Sequence, residues 1–183
     1  MRRTILIALT LLVATGMAFA EDAVPNIDEG TKELRVSGSY DGDHPLDYQA
    51  VLDLGFGYFI MDNVEVGGLL GWQGNDVWDT YEIGAFAEYN FDLDSPFVPF
   101  VQVGALWVAA EVDDDIYNDS GNVDADGWVG RFGAGVKYFI RDGVALSLET
   151  VYDIASEDVY ADDDGDVNDY NWETLLGLRV YWD

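Results

Sequence analysis

The sequence contains no cysteine among its 183 residues. An exported chain without cysteine has no disulfide framework, so burial and hydrogen bonding must hold its fold together. Histidine is almost as rare, since His44 is the only one. A lone histidine beside Pro45 in a short polar segment, with no cysteine elsewhere, offers no nucleophile and base pair. We therefore expect a protein that is not an enzyme and has no resident cofactor.

Basic residues are also scarce. Eight Lys and Arg face 36 Asp and Glu, which gives a formal net charge of -28. A chain this acidic repels nucleic acid, so we exclude that class of partner. Yet 49% of the residues are hydrophobic and 14% are aromatic, which is too apolar for a disordered acidic chain.

Long apolar runs are missing after the N-terminus. The chain starts Met-Arg-Arg, continues with an apolar run over residues 5–14, and reaches an Ala-Phe-Ala site at 18–20. This pattern predicts a secretory signal peptide, because the run is too short to span a bilayer of roughly 30 Å as a helix. Hydrocarbon admits only backbones that pair all their polar groups internally, so an exported apolar chain without a membrane helix favours a closed barrel. The predicted division is a signal peptide over 1–20, a short periplasmic segment over 21–32 and an outer-membrane barrel over 33–183.

Apolar and polar residues alternate with a period of two through most of the remaining chain. Between Tyr48 and Tyr58, for example, apolar residues hold the even positions, while Gln49, Asp53 and two glycines hold odd ones. Eight such segments predict an all-β fold, an eight-stranded antiparallel up-and-down transmembrane β-barrel. The short links are predicted at 62–63, 92–96 and 141–143, and the longer polar links at 41–47, 74–80, 113–127 and 157–169. Short turns at one end and an even strand count place both termini on the periplasmic side.

One heptapeptide occurs twice. Tyr-Phe-Ile-Met-Asp-Asn-Val at 58–64 recurs as Tyr-Phe-Ile-Arg-Asp-Gly-Val at 138–144. We interpret the two copies as similar periplasmic hairpins and not as a duplicated site.

The charged residues of the strands share one face, with the exception of Glu111, which is at a loop end where water is near. A lipid-facing Arg or Lys near the bilayer midplane would cost about 2–4 kcal/mol, so this face must be the lumen. Glycines on the same face leave room for long charged neighbours in a narrow interior. The predicted lumen charge network is Arg35, Asp53, Glu65, Glu82, Glu88, Arg131, Lys137, Glu149, Asp153, Glu173 and Arg179. It is either a structural network that fills the lumen or the lining of a water- or ion-conducting path.

Two of the longer links are strongly acidic and contain no basic residue. Their oxygen ligands suit hard divalent cations such as Ca²⁺ or Mg²⁺, which could then bridge the loops to lipopolysaccharide phosphates. Residues 122–127 echo the start of a calcium loop, but Gly133 stands where a bidentate Glu belongs. The other interpretation is solvated loops suited to a salty medium. The candidate cation-binding residues are Asp113, Asp114, Asp115, Asp124, Asp126, Asp162, Asp163, Asp164 and Asp166.

The alternating strands, the repeated hairpins and the last strand resemble the small eight-stranded outer-membrane barrels of the OmpA-barrel, OmpX and OmpW group. Gly177, Val180 and Trp182 match the family's C-terminal assembly signal, although Asp183 follows the aromatic residue. The resemblance implies a monomer in the outer membrane of a Gram-negative bacterium, inserted by the barrel-assembly machinery and surrounded by lipid and lipopolysaccharide. Because one barrel scaffold serves several roles, the function is a separate expectation, and we expect a structural role or a narrow porin-like permeability. The alternative is a surface-interaction or adhesin-type barrel that acts through its acidic loops.

Overall fold

The computed structural model describes residues 23–41, 49–74, 78–112, 125–157, 159–161 and 167–183. The predicted signal peptide lies outside these residues. Within the part of the chain that is described, no helix is long and apolar enough to cross a membrane.

Eight long strands close into one antiparallel barrel, as predicted. They are β1 (Lys32–Asp41), β2 (Gln49–Met61), β3 (Val64–Gly74), β4 (Trp78–Asn90), β5 (Phe97–Val112), β6 (Ala125–Arg141), β7 (Val144–Ala155) and β10 (Tyr170–Trp182). Two short strands, β8 (Tyr160–Ala161) and β9 (Val167–Asn168), form a separate hairpin between β7 and β10. The order around the barrel is β1-β10-β7-β6-β5-β4-β3-β2, and β1 closes it against β10 from Lys32 opposite Trp182 to Gly38 opposite Leu176.

The period of two separates an inner from an outer face, because successive side chains of a strand point to opposite sides. In β2, Asp53 is 4% exposed whereas its neighbour Leu54 is 43% exposed. The same distribution is found around the barrel, with charged side chains inside and apolar side chains outside. This is the distribution expected of a barrel that faces hydrocarbon.

The two ends of the barrel differ. At one end lie the turns β2–β3, β4–β5 and β6–β7, together with the start of β1 and the end of β10; we call it the turn end. The opposite end carries the other four connections, and we call it the loop end. Both copies of the repeat form turn-end hairpins with the same irregularity of register, between Phe59 and Met61 and between Phe139 and Arg141.

The predicted longer links were too long at three places. β3 runs to Gly74 and β4 starts at Trp78, and the Trp72 indole donates a 2.9 Å hydrogen bond to Asp79 across this hairpin. β6 starts at Ala125, so Asp126 lies in a strand and not in the loop. The β8–β9 hairpin occupies part of the last loop. In each case the strands pair further than predicted, because pairing satisfies their backbone N–H and C=O groups. Polar side chains do not prevent this backbone pairing.

Candidate functional site

The structure places the predicted charge network inside the barrel. Ten members are buried, and Glu173 is half-buried near the loop end. The buried members are Arg35, Asp53, Glu65, Glu82, Glu88, Arg131, Lys137, Glu149, Asp153 and Arg179. They form two clusters, one towards each end.

The loop-side cluster is organised by Arg131. Its Nε lies 2.8 Å from Asp153 Oδ1, and one terminal nitrogen lies 2.6 Å from Asp153 Oδ2 and 2.7 Å from Glu82 Oε2. The other terminal nitrogen is 3.5 Å from Asp53 Oδ2. The planar guanidinium fork thus holds carboxylates from β2, β4 and β7, a geometry that a lysine could not reproduce.

The turn-side cluster is centred on Lys137. Its Nζ lies 2.6 Å from Glu88 Oε1, 3.1 Å from Glu33 Oε2 and 3.7 Å from Glu65 Oε2, and all four side chains are fully buried. Arg179 reinforces the cluster, since one of its terminal nitrogens lies 3.1 Å from Glu33 Oε1 and 2.9 Å from Glu88 Oε2. A buried pair of this kind is stable only when hydrogen bonds replace lost hydration.

Two arginines extend the turn-side cluster. Arg179 also reaches Glu149 at 3.2 Å, and its guanidinium lies 4.5 Å from the centre of the Phe100 ring. Arg35 donates a hydrogen bond to Gln102 and lies 4.0 Å from the centre of the Phe86 ring. Cation–π contacts of this kind contribute up to about 2 kcal/mol when the cation is desolvated.

Sequence reasoning missed Glu33 and Gln102 as members of the network. The signal was available for Glu33, because it precedes Arg35 by two residues and therefore shares its face of β1. Gln102 had the correct face but carries no charge. Its role as a partner of Arg35 depends on distance across the lumen, which strand patterning does not give.

Glu33, Glu65 and Glu88 are arranged as metal ligands would be, since one carboxylate oxygen from each lies within 4.8 Å of the others. The Lys137 ammonium, however, contacts all three carboxylates and stands where a cation would bind. The three carboxylates therefore fit the protein's own ammonium group and not an added metal ion.

Glycines make space for the charges at close approaches. A Cβ added to Gly133 would lie 2.7 Å from a Glu149 carboxylate oxygen, and one added to Gly71 would lie 2.9 Å from Asp53 and 3.0 Å from Glu82. A side chain at either glycine would therefore force these carboxylates to move. The carboxylates thus fill volume that the glycines leave free, as expected in a barrel of eight strands.

Buried apolar side chains pack against the charges from both ends, and two of them, Leu69 and Phe86, lie between the two charge clusters along β3 and β4. The loop-end apolar layer consists of Leu69, Phe86, Leu106, Val108, Val129, Ala155, Val159 and Tyr160. The turn-end apolar layer consists of Ile27, Phe59, Val98, Phe139, Ala145 and Tyr181. Val159 and Tyr160 come from the last loop and Ile27 precedes β1, so both layers include residues from outside the eight barrel strands.

Tyr160 connects the loop-end apolar layer to the charges below it. Its hydroxyl donates a 3.3 Å hydrogen bond to Asp153 Oδ2. Burial raises the pKa of the Tyr160 hydroxyl well above its ordinary value, and the negative charges of Asp153 and Glu82 raise it further. Tyr160 therefore stays a neutral hydrogen-bond donor.

Of the candidate cation ligands in the loops, only Asp126 lies in the described part of the chain, exposed on β6. The other eight lie outside the described residues: Asp113, Asp114, Asp115, Asp124, Asp162, Asp163, Asp164 and Asp166. In the predicted assembly signal, Gly177 faces the lumen, while Val180 and Trp182 are 37% and 39% exposed on the outer face.

The outer surface is a belt of exposed aliphatic side chains bounded by aromatic ones. Trp107, Trp128 and Trp172 lie towards the loop end, and Phe56 and Trp182 lie towards the turn end. Trp107 and Trp128 meet edge to face at 5.3 Å, and Phe56 lies 6.2 Å from Trp182. Two aromatic girdles around an apolar band define a transmembrane β-barrel.

The chain belongs to the family described as the outer membrane protein beta-barrel domain, whose profile matches residues 6–179. This membership places the protein in the bacterial outer membrane. A comparison with curated protein sequences found no match.

Solved structures of small outer-membrane barrels share the fold. The N-terminal barrel domain of Pseudomonas aeruginosa OprF aligns with a TM-score of 0.64 at 17% identity, covering 84% of this chain and 98% of that one. Neisserial surface protein A aligns with a TM-score of 0.60 at 19% identity, covering 82% of this chain and 94% of that one. The Yersinia pestis attachment invasion locus protein, Ail, aligns with a TM-score of 0.54 at 14% identity, covering 84% of this chain and 99% of that one. At these identities the likeness shows the fold alone.

Proposed function

We propose that this protein is a non-enzymatic structural barrel of the outer membrane whose lumen is closed at rest, with its turn end facing the periplasm. One observation carries the proposal. In the described residues, two clusters of paired charges fill the lumen, and buried apolar side chains pack against them towards both ends of the barrel.

The energetics of the charged layers support a closed state. A solute passing Arg131 or Lys137 would have to separate each cation from carboxylates at 2.6–2.7 Å. Removing one partner of a buried ion pair typically costs about 3–5 kcal/mol, so conducting states should be rare at equilibrium.

Conductance of the chain from Glu21 onward in planar bilayers tests this proposal. We expect silent bilayers from protein whose folding is verified by a heat-dependent gel shift. Discrete current steps from the folded protein would overturn the closed state and favour the narrow permeability instead. Four basic side chains face eight acidic ones in the described lumen, the seven predicted acids plus Glu33. Steps that come from this lumen should therefore carry cations, with a preference that Glu88→Gln reduces.

A surface-interaction role is the second candidate, and charge asymmetry favours it. The loop end exposes Asp126, Glu157 and Asp169, and none of its four connections contains a Lys or Arg. Among the described residues outside the lumen, the basic side chains of Lys32 and Arg141 lie at the turn end. Divalent cations bound between an acidic surface and anionic lipopolysaccharide phosphates would hold the two together.

Calorimetry with Ca²⁺ separates the two candidates. The interaction candidate predicts heat of binding near millimolar Ca²⁺ that disappears when residues 113–115 and 162–166 are replaced by a Gly-Ser linker. Absence of binding by the folded, intact protein would leave the structural role. The same replacement should not alter the heat-dependent gel shift, because it leaves every residue of the eight barrel strands unchanged.

A further inference from the structure

We propose that residues 23–31 form a separable strap that seals the turn end of the barrel, and that its displacement admits water to the charges beneath while the barrel stays folded. The strap comes directly before β1 and belongs to no strand. It crosses the turn end, and its contacts lie on the hairpins to both sides of the β1–β10 closure.

On one side, the strap bonds to the β2–β3 hairpin. The backbone bonds run from Gly30 N to Phe59 O at 2.9 Å, from Phe59 N to Thr31 O at 2.9 Å, and from Asn63 N to Ile27 O at 2.9 Å. A side chain adds to them, since Asp62 Oδ1 accepts the Glu29 amide at 3.0 Å. These bonds satisfy backbone amides and carbonyls at the barrel mouth.

On the other side, the strap bonds to the β6–β7 hairpin. Asp142 Oδ1 accepts the Val24 amide at 3.0 Å. Within the strap, the Thr31 hydroxyl donates to Asn26 Oδ1 at 2.8 Å, which holds its bend. The strap therefore bridges β2–β3 and β6–β7, across both strands that close the barrel.

The repeated heptapeptide supplies both attachment points. Asp62 and Asp142 hold the same position in its two copies, and each accepts one strap amide. Phe59 and Phe139 also correspond, and both are fully buried in the turn-end apolar layer. In the third short turn, Asp92 accepts the amide of Asp94 in its own turn instead. The repeat thus provides two equivalent attachment sites for the strap. Its interpretation as two similar hairpins did not predict this role.

Ile27 is the plug of this seal. It is 3% exposed and lies in the same layer as Phe59, Phe139 and Tyr181. The turn-side charges come next, because Lys137 Nζ lies 5.9 Å from the Phe59 ring centre and 5.4 Å from that of Tyr181. Because one buried aliphatic side chain and a few hydrogen bonds hold the strap, it can open locally at a lower cost than the barrel.

Labelling of an introduced cysteine tests the seal, and the cysteine-free chain gives no background. Ala145 is fully buried in the turn-end apolar layer, so Ala145→Cys reports water access there. We expect the folded Ala145→Cys protein to react slowly with a charged, water-soluble maleimide, while Asp92→Cys in an exposed turn reacts fast. Adding Ile27→Asp should raise the Ala145→Cys rate by about tenfold or more. Val24→Asp is the matched control, since Val24 is 69% exposed in the same strap, and should leave the rate unchanged.

Each result decides the proposal. If Ala145→Cys stays protected in a folded Ile27→Asp protein, or if Val24→Asp exposes it equally, the strap is not the seal. If Ile27→Asp does not fold, the double variant Asp62→Ala with Asp142→Ala takes its place, with Asp92→Ala as control. Faster labelling of the folded double variant supports a separable strap. Failure of both variants to fold shows that the strap belongs to the barrel's cooperative unit and overturns the proposal.

Discussion

Arg131 and Asp153 stand directly opposite each other on β6 and β7 and share two hydrogen bonds, of 2.8 and 2.6 Å. The pair is buried, with Arg131 and Asp153 exposed by only 3% and 1%. Because Arg131 also contacts Glu82 and Asp53, it links four strands through one guanidinium group.

Arg131→Met should destabilise the barrel by about 3–5 kcal/mol, because it leaves buried carboxylates without their cation. Arg131→Lys should recover only part of this loss, since an ammonium cannot form the fork. Arg141→Met, at an exposed turn-end position, is the matched control. Urea unfolding of protein refolded into lipid vesicles measures the difference. Equal midpoints for Arg131→Met and Arg141→Met would contradict a structural role for the network.

Gly133→Ala should destabilise the barrel by about 1–3 kcal/mol, because its Cβ would overlap Glu149 in a filled lumen. Gly68→Ala offers the control on the outer face, where the nearest atom to an added Cβ is the Gly84 carbonyl oxygen at 3.7 Å. We expect Gly68→Ala to unfold at the wild-type urea concentration. An equally stable Gly133→Ala protein would indicate that the lumen has free space at this level.

Tyr160→Phe should cost about 0.5–1.5 kcal/mol by removing the hydrogen bond to Asp153. It should also change the pH dependence of stability. The folded-state pKa of Tyr160 lies above its ordinary value of 10.0, so the unfolded chain releases this proton first as pH rises. Tyr160 therefore stabilises the fold below pH 10 and loses that contribution above it. The urea midpoint should decrease less between pH 8 and pH 11 in Tyr160→Phe than in wild type. An identical decrease in both proteins would contradict this account.

Trp182→Ala should lower the yield of folded barrel in cells, because it removes the aromatic residue at the end of the predicted assembly signal. Trp172→Ala is the matched control, since Trp172 lies on the same face of β10 at the loop end and is 67% exposed. The heat-dependent gel shift of isolated outer membranes gives the folded fraction. Equal losses in both variants would mean that the effect comes from girdle anchoring and not from recognition of the C-terminal strand.

The strands and their faces could be predicted because a period of two is a local property. Polar and apolar residues alternate within the single segment from Gln49 to Tyr58. Because lipid surrounds the outer face, charged side chains can occupy only the inner face. Leu106 and Val108 depart from this alternation, since they are apolar residues on the lumen face of β5. They belong to the loop-end apolar layer. Extensions such as Asp126 in β6 were missed for a related reason, since pairing beyond the membrane needs no apolar pattern.

By itself, the sequence determined the eight strands, the inner position of the charges and the acidic loop end, all of which depend on neighbours within one segment. Only the tertiary structure decided which charges pair. Lys137 meets Glu33 from 104 residues away, at a distance set by register and by closure of the barrel. The same closure brings Ile27 over Phe59 and Phe139. Contacts across a lumen depend on how far each strand is shifted along the next, and single-strand periodicity carries no record of that shift.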